Sequence, residues 1–222
     1  MTKPAPPPRL FLLLARDVDC ALILRRGPTH WTHLVKWDMC DDIFEYGEWI
    51  KGRIYAEKCD LSPDGKLLIY SVWHRKMFRS HATESYTAVS RAPWLSALAL
   101  WPAGTPAGGG GRFVGNRALE LRLRKCVEAL PGFTGGGLTI SHGNPVYQDQ
   151  NVHIEGADWT GNDRQGRLIV AKEGKIFRQK FAGSDDLREL LDLNVLTPDP
   201  KPAPAWAAKS LLSLKPKAFI AI

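Results

Sequence analysis

The stretch CDLSPDGKLLIYSVW, residues 59–73, constrains the fold more than any other part of the chain. Pro63 sets φ at the entry to a turn, and Asp64 and Gly65 tolerate the left-handed backbone that tight turns demand. Leu67, Leu68, Ile69, Tyr70, Val72 and Trp73 follow as a run of β-branched, aromatic and aliphatic residues. The segment reads as strand, turn, strand. Its second strand begins Gly65-Lys66-Leu67-Leu68, and the same glycine–basic–apolar–apolar order returns at Gly111-Arg112-Phe113-Val114 and at Gly166-Arg167-Leu168-Ile169. A fourth apolar run, CALILRRG (20–27), precedes the first by a similar distance. A period of about 50 residues with several strands per unit is the spacing of four-stranded propeller blades.

The flanks repeat in part. The β-like runs IYAEKCDLS, LSALALWPA and NVHIEGADW precede matching strands, and HWTHLVKWD, SYTAVSR, ALELRL and KIFRQKF follow them. Twenty glycines and sixteen prolines supply the turns such a chain needs. Insertions are expected at 74–84, 103–111 and 132–145. The expectation is therefore an all-β, mainly antiparallel fold: a β-propeller-like array or partial propeller of about four repeated multi-stranded units. Four units are the lower limit for a closed ring, and an open array leaves strand edges to be covered.

LSPDGKLLIYSVW resembles the S-P-D-G strand pair of TolB-like propellers and, more loosely, of WD-repeat propellers. DRQGRLIVAKEGKIFR resembles blade hairpins of six-bladed propellers of the gluconolactonase type. The chain is also similar to uncharacterised bacterial proteins with LARD, ILRRGP and CDLSPDG segments. The resemblance implies a structural turn and carries no activity with it.

The ends differ from the middle. Residues 1–8, MTKPAPPP, read as a flexible Pro-rich lead, followed by a β-repeat domain over 9–182. RLFLLLAR reads as a buried strand, because its apolar run is too short, and Asp17 and Asp19 too close, for a secretory leader. In residues 183–222, Ser184 as N-cap, Asp185 and Asp186 in a first turn, and Leu187, Leu190 and Leu191 on one face predict a short helix. A Pro-rich tail follows, in which Trp206 is expected to pack back on the domain.

Standard catalytic signatures are missing. Gly108–Gly111 and Gly135–Gly137 lack the strand-to-helix context and the Lys-Ser/Thr of a phosphate loop, and read as flexible insertions. No G-x-S-x-G or H-E-x-x-H occurs. His30 and His33 are spaced for opposite faces of a strand. The clusters Asp38, Asp41, Asp42 and Asp158, Asp163 miss calcium-loop spacing and read as turns. Cys20, Cys40, Cys59 and Cys126 form no C-x-x-C pair, and Cys20 and Cys59 read as buried. No cofactor or metal is expected. A hydrolase acting on a sugar or lactone would need two converging carboxylates, with Asp17, Glu57, Asp60 and Asp158 as the acids near strand ends.

The net charge of +7 raises the prospect of an acidic partner. His74, Arg75, Lys76, Arg79 and His81, interleaved with Met77 and Phe78, are the first candidate binding residues. They suit phosphates and stacked bases or an acidic protein face. RKCVEALPG (124–132) is the second candidate. The leading expectation is a cytoplasmic, non-enzymatic binding or scaffolding module of a bacterial multi-protein system, with a protein partner and no membrane association. Nucleic-acid binding and propeller-type hydrolysis are the alternatives.

Overall fold

The structure, a computed structural model, describes residues 6–27, 29–73, 85–103, 108–123, 127–132, 134–143 and 154–213. Among them sixteen strands form four sheets. The first sheet is a meander of β1 (Arg9–Leu14), β2 (Cys20–Arg26), β3 (Trp31–Asp38) and β4 (Ile43–Lys51). In the second, β5 (Arg53–Ile54) and β6 (Asp60–Leu61) both pair with β7 (Leu67–Trp73), followed by β8 (Ser85–Arg91) and β9 (Ala99–Pro102). The third comprises β10 (Gly111–Phe113), β11 (Ala118–Leu121) and β12 (Thr139–His142), with β12 parallel to β11. The fourth is a meander of β13 (Trp159–Asn162), β14 (Leu168–Lys172), β15 (Lys175–Gln179) and β16 (Leu187–Asp192).

Period-two alternation explains how these sheets stack. Leu22 and Leu24 of β2 face Leu61, Leu68 and Tyr70 of the second sheet. Ala21 and Ile23, on the opposite face, meet Ile169, Ala171 and Ile176 of the fourth. In β7, Leu68, Tyr70 and Val72 face the first sheet, while Leu67 and Ile69 meet Phe113, Leu119 and Leu121 of the third. Among the described residues, three apolar cores thus join the sheets in the spatial order fourth, first, second, third. The result is an all-β, propeller-like array that these contacts leave open.

Several expectations need correction. Residues 187–192 form the strand β16, not a helix: the edge of β15 supplies a ladder, pairing Ile176 with Leu191 and Gln179 with Leu187. A helix this short gains little on its own, so the open edge wins. Ser184 makes a cap-like bond for a turn instead, its Oγ accepting the Asp186 N–H. Gly111-Arg112-Phe113 is the first strand of its sheet, out of phase with β2, β7 and β14. LSALALWPA contributes β9, the last strand of the second sheet, and does not lead into the third. IYAEKCDLS is split by a 3-10 turn at Ala56–Lys58 into β5 and β6.

The glycine run at 108–111 is packed and not a flexible insertion. The Gly110 N–H donates to Thr87 Oγ1, and a Cβ on Gly111 would lie 2.5 Å from Ile69 Cδ1. The second glycine run also forms a packed turn: Gly135 accepts the Leu138 N–H, and a Cβ on it would meet Ala99. Trp206 is 47% exposed, and Ala207 and Leu211 make the contact with the body instead. β1 is the buried strand expected, and Cys20 and Cys59 are buried, with burial pushing the Cys59 thiol up to about 12.

Candidate binding face at the hairpin turns

The first hairpin turn of every sheet lies at one end of the array. The turn at 62–66 shows what the S-P-D-G residues do. Ser62 Oγ accepts the N–H groups of Lys66 and Leu67 and donates to Asp64 Oδ1, and the Ser62 carbonyl accepts the Gly65 N–H with Gly65 at φ +69. In the fourth sheet Asp163 plays the same part. Its Oδ1 accepts from Gln165 N and Arg167 N, its carbonyl accepts from Gly166 N, and its Oδ2 takes Arg167 Nε at 2.7 Å.

These turns are tied to one another in the order of the sheets. Arg164 Nη1 donates to the Asp17 carbonyl at 2.7 Å, the Asp17 N–H to the Pro63 carbonyl at 3.0 Å, and the Asp64 N–H to Asn116 Oδ1 at 3.0 Å. Arg178 of β15 reaches the β3–β4 turn, donating to the Met39 carbonyl and to Asp42 Oδ2 at 2.7 Å while lying over the Trp37 ring. The acids of that turn act structurally: Asp42 also accepts Trp37 Nε1, and Asp38 accepts the Cys40 N–H.

A cleft of about 220 Å³ opens on this face between the β1–β2 and β13–β14 turns. Arg16, Val18, Asp19, Asn162 and Arg164 line its mouth, with Cys20 and Met39 beneath. Asp163 is consumed by its own turn and Arg164 by Asp17. The Asp19 carboxylate and the Asn162 amide make no hydrogen bond to a described residue. The cleft therefore offers an acceptor, an amide and the exposed methyl groups of Val18 to an approaching surface.

The acids proposed for hydrolysis are placed in different seams. Asp60, between the second and third sheets, accepts the Phe113 N–H at 2.7 Å and pairs with Arg16 at 3.2 Å; Arg16 also donates to the Phe113 carbonyl. Burial raises the Asp60 carboxyl against the pull of Arg16 and that N–H. Asp158, between the fourth and first sheets, accepts the Leu10 N–H and pairs with Arg9, and burial raises it too. Glu57 is exposed on the 3-10 turn. Each of the two buried acids pins the first strand of a neighbouring sheet, which occupies the groups a catalytic pair would need.

His74, Arg75, Lys76, Arg79 and His81 lie outside the described residues. Of the second candidate, Arg124, Lys125 and Cys126 also lie outside, while Val127 and Ala129 pack on the core between the second and third sheets. His30 is exposed, whereas His33 is buried, stacked on Trp49 at 4.2 Å. Burial lowers His33 to about 4, against a hydrogen bond with the Gly47 backbone. No group of three or more His, Cys, Asp or Glu among the described residues is arranged to hold a metal ion.

Sequence reasoning passed over the buried arginines Arg25, Arg91 and Arg178. The one signal was a cation inside or beside an apolar strand, as in CALILRR. Comparison with known protein families, characterised proteins and solved structures found no match. Among the described residues no helix is long and apolar enough to cross a membrane.

Proposed function

We propose that this chain is a non-catalytic binding or scaffolding module of a bacterial multi-protein system, working in the cytoplasm through a protein partner. Its blades are of the TolB-like or WD-repeat-like kind. The observation that carries this reading is the use of the acids. Asp60, Asp158 and Asp163 hold sheets and turns together, and the hairpin turns converge on one braced face with a shallow polar cleft. Loops held by a rigid frame are where binding residues concentrate, and this frame is braced from sheet to sheet directly beneath them.

The test places a photoreactive residue at Val18 or Asn162 on the turn face, and at Lys51 on another edge, in the native host. Crosslinking to one discrete protein from Val18 and Asn162 but not from Lys51 is the expected result. Crosslinks from Lys51 alone would overturn the reading. So would turnover of a sugar or lactone substrate by the purified protein, or retention of nucleic acid that falls steeply with salt.

A further inference from the structure

After β16 the chain leaves the fourth sheet as Leu193-Asn194-Val195-Leu196, followed by TPDPKPAPAW (197–206). Two buried arginines fix the ends of this stretch. Arg25, 1% exposed, donates Nε to the Leu193 carbonyl and Nη2 to the Leu196 carbonyl, both at 2.9 Å. Arg91, 8% exposed, donates Nη1 to the carbonyls of Ala207 and Lys209, and Leu211 is buried in the core between the second and third sheets. Neither arginine makes an ion pair with a described carboxylate.

Between the anchors, every residue from 197 to 204 is either a proline or the residue before one. Proline locks φ near that of the polyproline helix, and its ring drives the preceding residue out of the α region. Eight consecutive residues are thus confined to extended, polyproline-like backbone. Thr197, Pro198, Asp199, Pro200, Lys201 and Pro202 are all exposed, and the charges of Asp199 and Lys201 pair with each other at 2.8 Å. At about 3.1 Å per residue the eight residues 197–204 reach about 25 Å, after which the chain turns, the Ala207 N–H donating to the Pro204 carbonyl.

We propose that residues 197–204 are a ligand presented to a partner protein that has an aromatic-lined groove for polyproline segments. Such grooves stack aromatic rings on proline rings and gain affinity because the ligand is already extended. Here the two arginine anchors remove still more of the freedom that binding would otherwise cost. Asp199 and Lys201 cancel in charge, so the strip carries no net charge of its own, which favours ring stacking over charge recognition. A second copy of the chain does not fit: the exposed aromatics among the described residues are set apart along the chain, Tyr46 on β4, Phe181 in the connection between β15 and β16, and Trp206 in the C-terminal segment itself.

The test titrates a panel of purified polyproline-groove domains of the SH3, WW and EVH1 classes into the isotope-labelled full chain. Expected are shifts confined to residues 197–206, including the Trp206 indole, for at least one domain. The double variant Pro200→Gly, Pro202→Gly restores freedom without touching either anchor, and should weaken that binding about tenfold or more while the chain stays folded, its unfolding midpoint lowered only modestly. The proposal is overturned if no domain moves these resonances at millimolar concentration, or if the double variant binds as well as the parent. Neither failure bears on crosslinking from Val18, so this idea and the turn-face reading fall separately.

Discussion

Replacing Asp60 tests whether the sheets are held by polar staples as well as by apolar cores. In Asp60→Ala the Phe113 N–H loses its acceptor in a partly buried seam, which costs about 1–3 kcal/mol. Arg16, a third exposed on its side chain, can turn to water, so its lost ion pair adds only about 0.2–1 kcal/mol. Together these come to about 1–4 kcal/mol, up to a large part of the 5–15 kcal/mol typical of a folded protein. Asp60→Asn keeps an oxygen for the N–H and gives up only the charge, so at neutral pH it should cost about 1 kcal/mol or less. Urea unfolding followed by tryptophan fluorescence measures both.

The pH dependence has a definite sign. The folded protein raises the Asp60 carboxyl above its ordinary 3.8, so protons bind the folded state more readily than the unfolded. The stability this contributes is full below 3.8 and is lost as pH rises through the folded value. The advantage of the parent over Asp60→Asn should therefore be greatest in acid and narrow toward neutrality. If the alanine variant is no worse than the asparagine variant, or the gap widens with pH, Asp60 does not act as the staple between the second and third sheets.

Three further outcomes follow from the same geometry. His33, depressed to about 4 from 6.5, contributes roughly 3 kcal/mol that is present above pH 6.5 and lost as pH falls through 4; His33→Gln should flatten that limb of a stability–pH curve. Arg178→Met leaves the partly exposed Asp42 without its guanidinium and the Met39 carbonyl without its donor, and should lower stability by about 1–3 kcal/mol in chemical denaturation. Gly47→Ala places a Cβ 2.2 Å from the Pro93 carbonyl oxygen, where β4 meets the β8–β9 turn. It should destabilise by about 1–3 kcal/mol, and an unchanged melting temperature would show that this contact can relax without cost.

Much of the architecture is written in the period of the apolar residues. CALILRR and LLIYSVW are continuous apolar runs because β2 and β7 lie in the middle sheets and bury both faces. ALEL alternates, and β11 lies in an end sheet with one face on a core; in β15, of the other end sheet, burial alternates as Ile176 and Arg178 turn inward. The S-P-D-G turn is legible because its bonds run between residues at most five apart. What escaped is what depends on distant partners. β4 reads as a polar, glycine-broken segment until β3 pairs with it and Pro93 docks against Gly47. β16 looks helical until the edge of β15 is offered to it, and β12 pairs in parallel with a strand from which an insertion separates it. Arg25, Arg91 and Arg178 are ordinary cations in sequence, and acquire their roles only when carbonyls and Asp42 arrive from far along the chain.

The contrast between continuous and alternating strands also bears on closure. In a closed ring every sheet is sandwiched, so every central strand should carry apolar residues on both faces. β11 does not: Ala118 and Glu120 alternate with Leu119 and Leu121, and only the leucines enter a core. On β15, Lys175, Phe177 and Gln179 are half-buried on the face away from Ile176, and only Ile176 of that strand enters a core. β14 buries Ile169, Val170 and Ala171 alike, but Val170 enters none of the three cores that join the sheets, which agrees with an array left open beyond the fourth sheet. The C-terminal segment spans from one terminal seam to the other, its carbonyls held by Arg25 between the fourth and first sheets and by Arg91 between the second and third. A chain that leaves its array open thus secures it with a polar strap from seam to seam, and the strap consists largely of the proline-rich residues that it displays to solvent.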